Sequence, residues 1–352
     1  MATIAQAVRL ALHVGETRLG VTDIFGEDVG PPLGGVFTCT QGLETTWNSP
    51  LDERGIVGTS FGLALAGCRN VAEIQFCDYI HNTIDLLRLI GNARWSSAGQ
   101  FSVPLVLATP VGAGIHGSIY HSQSIDAMAT HIPGWKVVLP STPKDAYGLL
   151  ITAIQDPDPV MFLYPKALIR APGKEKIPGE PENPKELSKM IDAPLGDARA
   201  GWKPKWPELE DFSIPIGKAR VTHAGTDVTV VSYGRTAPLC TKAAEKLADE
   251  GISVEVIDLR SLYPYDWEAV VGSVRKTGRF LTVNEDTEVT NFGEHLIRRV
   301  VDECFYELEA PPRLLAGANV PGIGLAWNLE RASVPQPDGI EAAIRELSRQ
   351  YA

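Results

Sequence analysis

The sequence predicts an α/β protein of two domains, each built on a mainly parallel sheet covered by helices. Three observations carry that expectation. Its 352 residues are enough for two cores of ordinary size. Short apolar runs alternate with helix-period patterns through both halves, as in crossover-connected parallel strands. Between the halves, residues 171–212 change character, being rich in Pro, Lys and Glu with Trp202 and Trp206 embedded. The expected division is therefore 1–170, a connector 171–212 whose Trp residues and Met190-Ile191 pack it on a surface, and 213–352.

In chain order, Ile4, Ala7, Val8, Ala11 and Leu12 fall on one face of an opening helix, an amphipathic pattern unlike a signal peptide. Strands are expected at Val21–Phe25, Val71–Phe76, Val103–Ala108, Lys136–Leu139 and Val160–Leu163. A helix over 50–67 is expected to start with Ser49 as cap, Pro50 at the first position, and Asp52 and Glu53 favoured by the helix dipole. Its Gly55, Gly58, Gly62 and Ala66 form a stripe with almost no side chain, suited to a tight helix contact within the domain or at a subunit boundary. Further helices are expected over Tyr79–Ala93, with Ile80, Ile84, Leu87 and Ile90 inward, and over Pro143–Gln155, capped by Thr142. The second half repeats the alternation: strand Val228–Ser232, helix Ala237–Glu250 closed by Gly251, and strand Ile252–Leu259. Then follow helix Trp267–Lys276, strand Phe280–Asn284 and helices over Glu294–Glu307 and Ile340–Gln350.

Composition narrows the function classes. A formal charge of −11 without a basic, aromatic-interleaved patch argues against nucleic acid as a partner. No apolar run approaches a membrane span. Five scattered Cys, with no C-x-x-C pair, fit a reducing compartment with neither a disulfide framework nor a zinc site.

Three stretches carry polar groups at expected strand ends, where open α/β sheets bind ligands. Glu53 heads the glycine-striped helix, and by spacing alone a first-turn surface acid is the simpler reading. Gly112-Ala113-Gly114-Ile115-His116-Gly117 matches G-x-G-x-x-G, but the polar stretch 118–124 follows in place of a helix, so the dinucleotide fingerprint fails on context. That loop delivers His121, a proton exchanger near neutral pH or a hydrogen-bonded loop residue. His131, before Pro133, reads as structural. In Glu73-Ile74-Gln75-Phe76-Cys77-Asp78-Tyr79, Gln75 offers an amide and Tyr79 an aromatic face to a heterocycle.

Seven motifs then agree in order: G-E-D-V-G (26–30), P-L-D-E-R-G-I-V-G (50–58), E-I-Q-F-C-D-Y (73–79), Y-H-S-Q-S (120–124), P-G-W-K-V-V-L-P-S-T-P-K-D-A (133–146), A-I-Q-D-P-D-P-V (153–160) and I-P-I-G-K-A (214–219). With them the chain resembles the beta subunit of the thiamine diphosphate-dependent decarboxylating component of 2-oxo acid dehydrogenase complexes. The resemblance implies a transketolase-like pyrimidine-binding domain, then a transketolase C-terminal-like domain, in an alpha2-beta2 heterotetramer. It implies thiamine diphosphate as cofactor and oxidative decarboxylation of a 2-oxo acid with reductive acylation of lipoyl-lysine on an acyltransferase core. Magnesium and the diphosphate would be held mainly by the alpha subunit, since this chain lacks the motif that holds them. Residue by residue, Glu53 matches the acid that hydrogen-bonds the aminopyrimidine ring, and Gln75 and Tyr79 match residues against that ring. His121 matches a histidine that places substrate and the lipoyl group. Leu105, Ala153, Ile154, Asp156 and Asp158 match a structural potassium site, for which the two acids otherwise read as a solvated helix-end turn. The implied compartment is the cytoplasm, or the mitochondrial matrix for an organellar form.

Departures from the family pattern are Ala108, where Arg is common, Tyr164 in F-L-Y-P-K, where Glu is common, and Gly317-Ala318-Asn319-Val320-Pro321 for Gly-Phe-Asp-x-P. They leave open which 2-oxo acid is used, an acetoin dehydrogenase-type activity, and a non-catalytic scaffold.

Overall fold

The computed structural model describes residues 1–199 and 201–350, which divide into two compact units. Among these described residues, one unit comprises 1–110, 132–164 and 168–216, and the other comprises 111–131, 165–167 and 217 onward.

In the first unit, six strands run in the order β5-β6-β4-β3-β1-β2, where β1 is Val21–Gly26, β2 Thr46–Asn48, β3 Arg69–Glu73, β4 Leu105–Val111, β5 Lys136–Val138 and β6 Val160–Pro165. The pairings β2-β1, β1-β3, β3-β4 and β5-β6 are parallel. Strands β4 and β6 are buried along their whole length, which is why they read as continuous apolar runs. Helix α1 (Ile4–Arg18) is capped by a reciprocal Thr3–Gln6 box and lies against helix Pro143–Gln155. Its small faces allow that approach: a Cβ on Gly15 would stand 3.0 Å from Ile154 Cδ1.

Two expectations about local structure are corrected. Helix α2 begins at Glu53, with Asp52 in the cap position and no side-chain cap bond, and runs to Leu65. Ser49 instead donates its hydroxyl to the Pro50 carbonyl, so neither residue starts the helix. The helix expected over Tyr79–Ala93 is a 3₁₀ segment, Cys77–Thr83, followed by α3, Ile84–Ser96. The change from three to 3.6 residues per turn shifts the phase, so Ile80, Leu87 and Ile90 are buried while Ile84 is exposed.

Helix α3 crosses the chain closely at Gly91, where a Cβ would lie 2.3 Å from the Pro133 carbonyl oxygen. Trp135 seals this crossing with a 2.7 Å bond from its indole N–H to the Leu87 carbonyl. Gly91→Ala is therefore expected to destabilise the protein by at least the ~1–3 kcal/mol typical of overpacking, read as a lower urea midpoint.

Residues 171–212 are tied into this unit. Helix Pro184–Ile191 buries Leu187 and Ile191 in its core. Buried Arg9 donates to the Asp192 carboxylate at 2.9 Å and to the Thr38 carbonyl at 3.0 Å, while Trp206 stacks on His13.

The second unit carries a five-stranded sheet, β11-β10-β8-β9-β7, with β7 Arg220–His223, β8 Val228–Ser232, β9 Val254–Asp258, β10 Phe280–Thr287 and β11 Arg313–Gly317. Edge strand β7 is antiparallel to β9; the other pairings are parallel. Helices Thr236–Ala248 and Pro337–Arg349 cover it, packing Cys240, Ala244, Leu247, Ile340 and Ile344 into one core with Val230 and Val256.

Candidate cofactor site

At the carboxyl end of β1, the backbone passes so close to β3 that a Cβ on Gly26 would lie 2.3 Å from the Glu73 carbonyl oxygen. Beyond it the chain turns through Glu27 and Asp28, the latter in a left-handed conformation (φ 60°). Gln75, just past the end of β3, donates its amide to the Asp28 carboxylate at 3.0 Å and to the Glu27 carbonyl at 3.4 Å. Half-buried Glu53 enters from the start of α2. Burial raises the Glu27 carboxyl above its usual range, helped by the charges of Asp28 and Glu53. Burial likewise raises the Tyr79 phenol, with Asp78, Glu27 and Glu53 adding to it. Glu53, Glu27, Gln75 and Tyr79 therefore share one electrostatic neighbourhood at the carboxyl ends of β1 and β3. Phe76 meets the Tyr79 ring edge-on at 5.9 Å.

Behind this group lies a pair absent from the expected site residues. Glu73, the last residue of β3, is buried and accepts a 2.7 Å bond from the Tyr164 hydroxyl on β6. Burial pushes its carboxyl up to about 7, against a smaller lowering by Tyr164. Where the family pattern puts Glu, Tyr164 thus meets Glu73 with a donor instead of a second acid. The signal was present in the sequence as Tyr164, but its partner is 91 residues away.

His121 belongs to the second unit. Its Nδ1 donates to the Gly117 carbonyl at 3.0 Å, which leaves Nε2 as the unprotonated nitrogen of the neutral ring. Gly117 is required there, since a Cβ would stand 2.6 Å from the His121 Cβ. Nearby, three buried acids escaped sequence reasoning. Asp126 is raised well above its usual range by burial and by the charges of Asp286 and Glu285, and the other two are raised chiefly by burial. Asp286 accepts from the Ala127 N–H at 3.1 Å. His131 sits at the end of helix Asp126–Thr130, where its backbone N–H closes the last turn.

The expected cation site is already rich in positive charge. Lys136 places its ammonium 2.7 Å from both Asp156 oxygens and 3.4 Å from Asp158, which also pairs with Arg94 at 2.7 Å. The Arg69 guanidinium bonds the Ile154 carbonyl, and the Ala153 carbonyl accepts from the Asp156 N–H at 3.3 Å. Leu105 opens β4 beside Asn70 of β3. This oxygen set fits a cation, and the protein's own Lys136 and Arg69 supply the charge. Among the described residues no group of three or more His, Cys, Asp and Glu is arranged to hold a metal, and no helix is long and apolar enough to cross a membrane.

Among the described residues the glycine stripe of α2 meets no neighbouring helix tightly: a Cβ on Gly55 would stand 2.6 Å from Oδ2 of Asp52, the helix's own cap residue. A Cβ on Gly62 would meet nothing within 4 Å, and one on Gly58 would meet only Leu86 Cδ1 at 3.8 Å. Leu51 and Leu65, near the two ends of α2, are exposed, as are Leu89 and Trp95 on α3.

Comparison with known proteins places the chain in a family. Residues 2–172 match the transketolase pyrimidine-binding domain and residues 217–340 the transketolase C-terminal domain. The chain is 36% identical to the 2-oxoisovalerate dehydrogenase subunit beta of Bacillus subtilis, over 97% of each chain. It is 38% identical to the pyruvate dehydrogenase E1 component subunit beta of Acholeplasma laidlawii, over 99% of this chain and 98% of that one. Identity is also 38% to the mitochondrial 2-oxoisovalerate dehydrogenase subunit beta 2 of Arabidopsis thaliana, over 90% and 81% respectively. A solved split-gene transketolase, an inactive beta4 tetramer, shares the fold with a TM-score of 0.70 at 17% identity over the whole of both chains. The chain belongs to the family of beta subunits of the thiamine diphosphate-dependent first component of 2-oxo acid dehydrogenase complexes.

Proposed function

We propose that this chain, with an alpha subunit, catalyses the oxidative decarboxylation of a 2-oxo acid and passes the acyl unit to lipoyl-lysine. The observation that carries this reading is the grouping of Glu53, Glu27, Gln75 and Tyr79 at the carboxyl ends of β1 and β3 in a chain of this family. A carboxylate, an amide and a half-buried aromatic suit a flat, nitrogen-rich ring such as an aminopyrimidine. Thiamine diphosphate, when bound, supplies the electron sink for loss of CO2. Glu53 holds and returns a proton at its carboxylate, and beside it burial keeps the Glu27 carboxyl above its usual range, which favours proton sharing. Gln75 orients through its amide, with Asp28 as its anchor. Tyr79 and Phe76 give the ring an apolar wall. With Nδ1 bonded to the Gly117 carbonyl, Nε2 is the acceptor nitrogen of the neutral His121 ring.

The working units are a pyrimidine-binding domain over 1–170, a connector over 171–212 and a C-terminal domain over 213–352. Clustered Glu27, Asp28 and Glu53 repel a diphosphate, so the alpha subunit carries that end and its magnesium. The stripe at Gly58 and Gly62 of α2, with Leu51 and Leu65 exposed near the helix ends, suits close approach of a partner helix at a subunit boundary. A potassium ion at the Ile154 carbonyl would displace the Arg69 guanidinium. Relatives of bacterial and mitochondrial origin favour the cytoplasm or the matrix.

The test is to co-express the chain with an alpha-type partner and assay pyruvate and branched-chain 2-oxo acids with an artificial electron acceptor. Turnover of at least one, dependent on thiamine diphosphate, is expected. A well-formed tetramer that turns over none would overturn the reading and favour a scaffold.

A further inference from the structure

The loop that ends in His121 is held by a carboxylate far away in sequence. Glu330, on the short helix Trp327–Ser333, is buried and points both oxygens into the loop. One oxygen accepts from the Gly114 N–H at 2.7 Å and the His116 N–H at 3.2 Å; the other lies 3.0 Å from His116 Nδ1. A second carboxylate, Glu285, accepts from the Ala113 N–H at 3.3 Å. The loop needs such restraint, because His116 (φ 55°) and Ser118 (φ 63°) both adopt the left-handed conformation without being glycine. Gly117, between those two residues, is the one whose carbonyl sets the His121 tautomer.

We propose that Glu330 is a positioning residue: by clamping the Gly114 and His116 N–H groups and the His116 ring, it fixes the Gly117 carbonyl and so the place and tautomer of His121. This rests on the reading of His121 as an active-site group. Two acids, Glu330 and Glu285, converge on three N–H donors within the four residues 113–116, whereas a merely structural acid of that helix would need only local partners. Charge-assisted bonds of this kind are roughly twice as strong as neutral ones, and Gln in place of Glu keeps the geometry while removing the charge.

The test compares Glu330→Ala and Glu330→Gln with the wild-type chain, each co-assembled with the alpha-type partner. Amide hydrogen exchange over residues 112–122, the steady-state constants for the 2-oxo acid and lipoyl acceptor, and thiamine diphosphate affinity are measured. Exchange at the loop is expected to quicken by about tenfold or more in the Ala variant. Its kcat for acyl transfer to the lipoyl acceptor is expected to fall by about 10–100-fold with cofactor affinity unchanged, and the Gln variant to recover most of it. Wild-type exchange in the Ala variant would overturn the proposal, as would quickened exchange with unchanged kinetic constants. Equal loss in Ala and Gln variants together with weakened cofactor binding would also overturn it, since that pattern marks general structural damage. A wild-type assembly with no turnover would overturn the functional reading instead, and loop exchange would still support or overturn the clamp.

Discussion

Glu53→Gln is expected to lower 2-oxo acid turnover by about 10²–10⁴-fold, the range for losing a proton-transfer group, while leaving the fold and the assembly intact. Gln keeps the volume of Glu, and Glu53 makes no cap bond that the change would break. Its structural worth at the start of α2 is the first-turn dipole interaction, about 0.3–1 kcal/mol. Removing its charge also relieves Glu27 and Tyr79, both of which Glu53 pushes up, so any stability change is small and of either sign. The catalytic effect corresponds to about 3–5 kcal/mol of barrier and exceeds that several-fold. Near-normal turnover in an assembled variant of unchanged urea midpoint would refute the role given to Glu53.

Glu73→Gln is expected to act on stability instead, and in the unusual direction. In the folded chain the Glu73 carboxyl titrates near 7, against 4.5 ordinarily, because it is buried. Below pH 4.5 both folded and unfolded chains hold the proton and the group is neutral in its effect. As pH rises toward 7 the unfolded chain releases the proton while the folded one keeps it, so stability falls, by up to about 3 kcal/mol once pH exceeds 7. Gln accepts the Tyr164 hydroxyl without ever needing to ionise, and removes that slope. Urea midpoints from pH 5 to 8.5 should therefore diverge, with the Gln variant gaining on wild type as pH rises. Parallel pH profiles would show that Glu73 is not held protonated by its surroundings. The same measurement on Tyr164→Phe should show a steeper loss than wild type, since the hydroxyl is what eases ionisation of Glu73.

Legibility of the fold followed burial. Strands buried on both faces, β4, β6 and β8, stand out as apolar runs and are found with their ends shifted by a few residues at most. Strands β2, β7 and β11 went unread because each lies at a sheet edge, where half-exposed residues such as those of Arg220–His223 carry no such pattern. Ile84 failed for a different reason: no periodicity records a switch from 3₁₀ to α winding at Thr83. The helix start at Glu53 shows the limit of capping rules, since Ser49 and Pro50 have the right chemistry but Ser49 gives its N–H to the Gly26 carbonyl and its hydroxyl to the Pro50 carbonyl.

By itself the sequence determined the α/β class and most of the sheet-forming segments. Through seven motifs in order it also determined the family and the residues to suspect, because periodicity and motif spacing are local properties of the chain. Only the tertiary structure decided what those residues touch. The Tyr164–Glu73 bond depends on where β6 and β3 stand in a strand order that no local pattern encodes, and the Glu330 clamp joins positions 216 residues apart. Burial, which raises Glu73 to about 7 and leaves the α2 glycine stripe bare, is likewise a property of the packed molecule and of no segment within it.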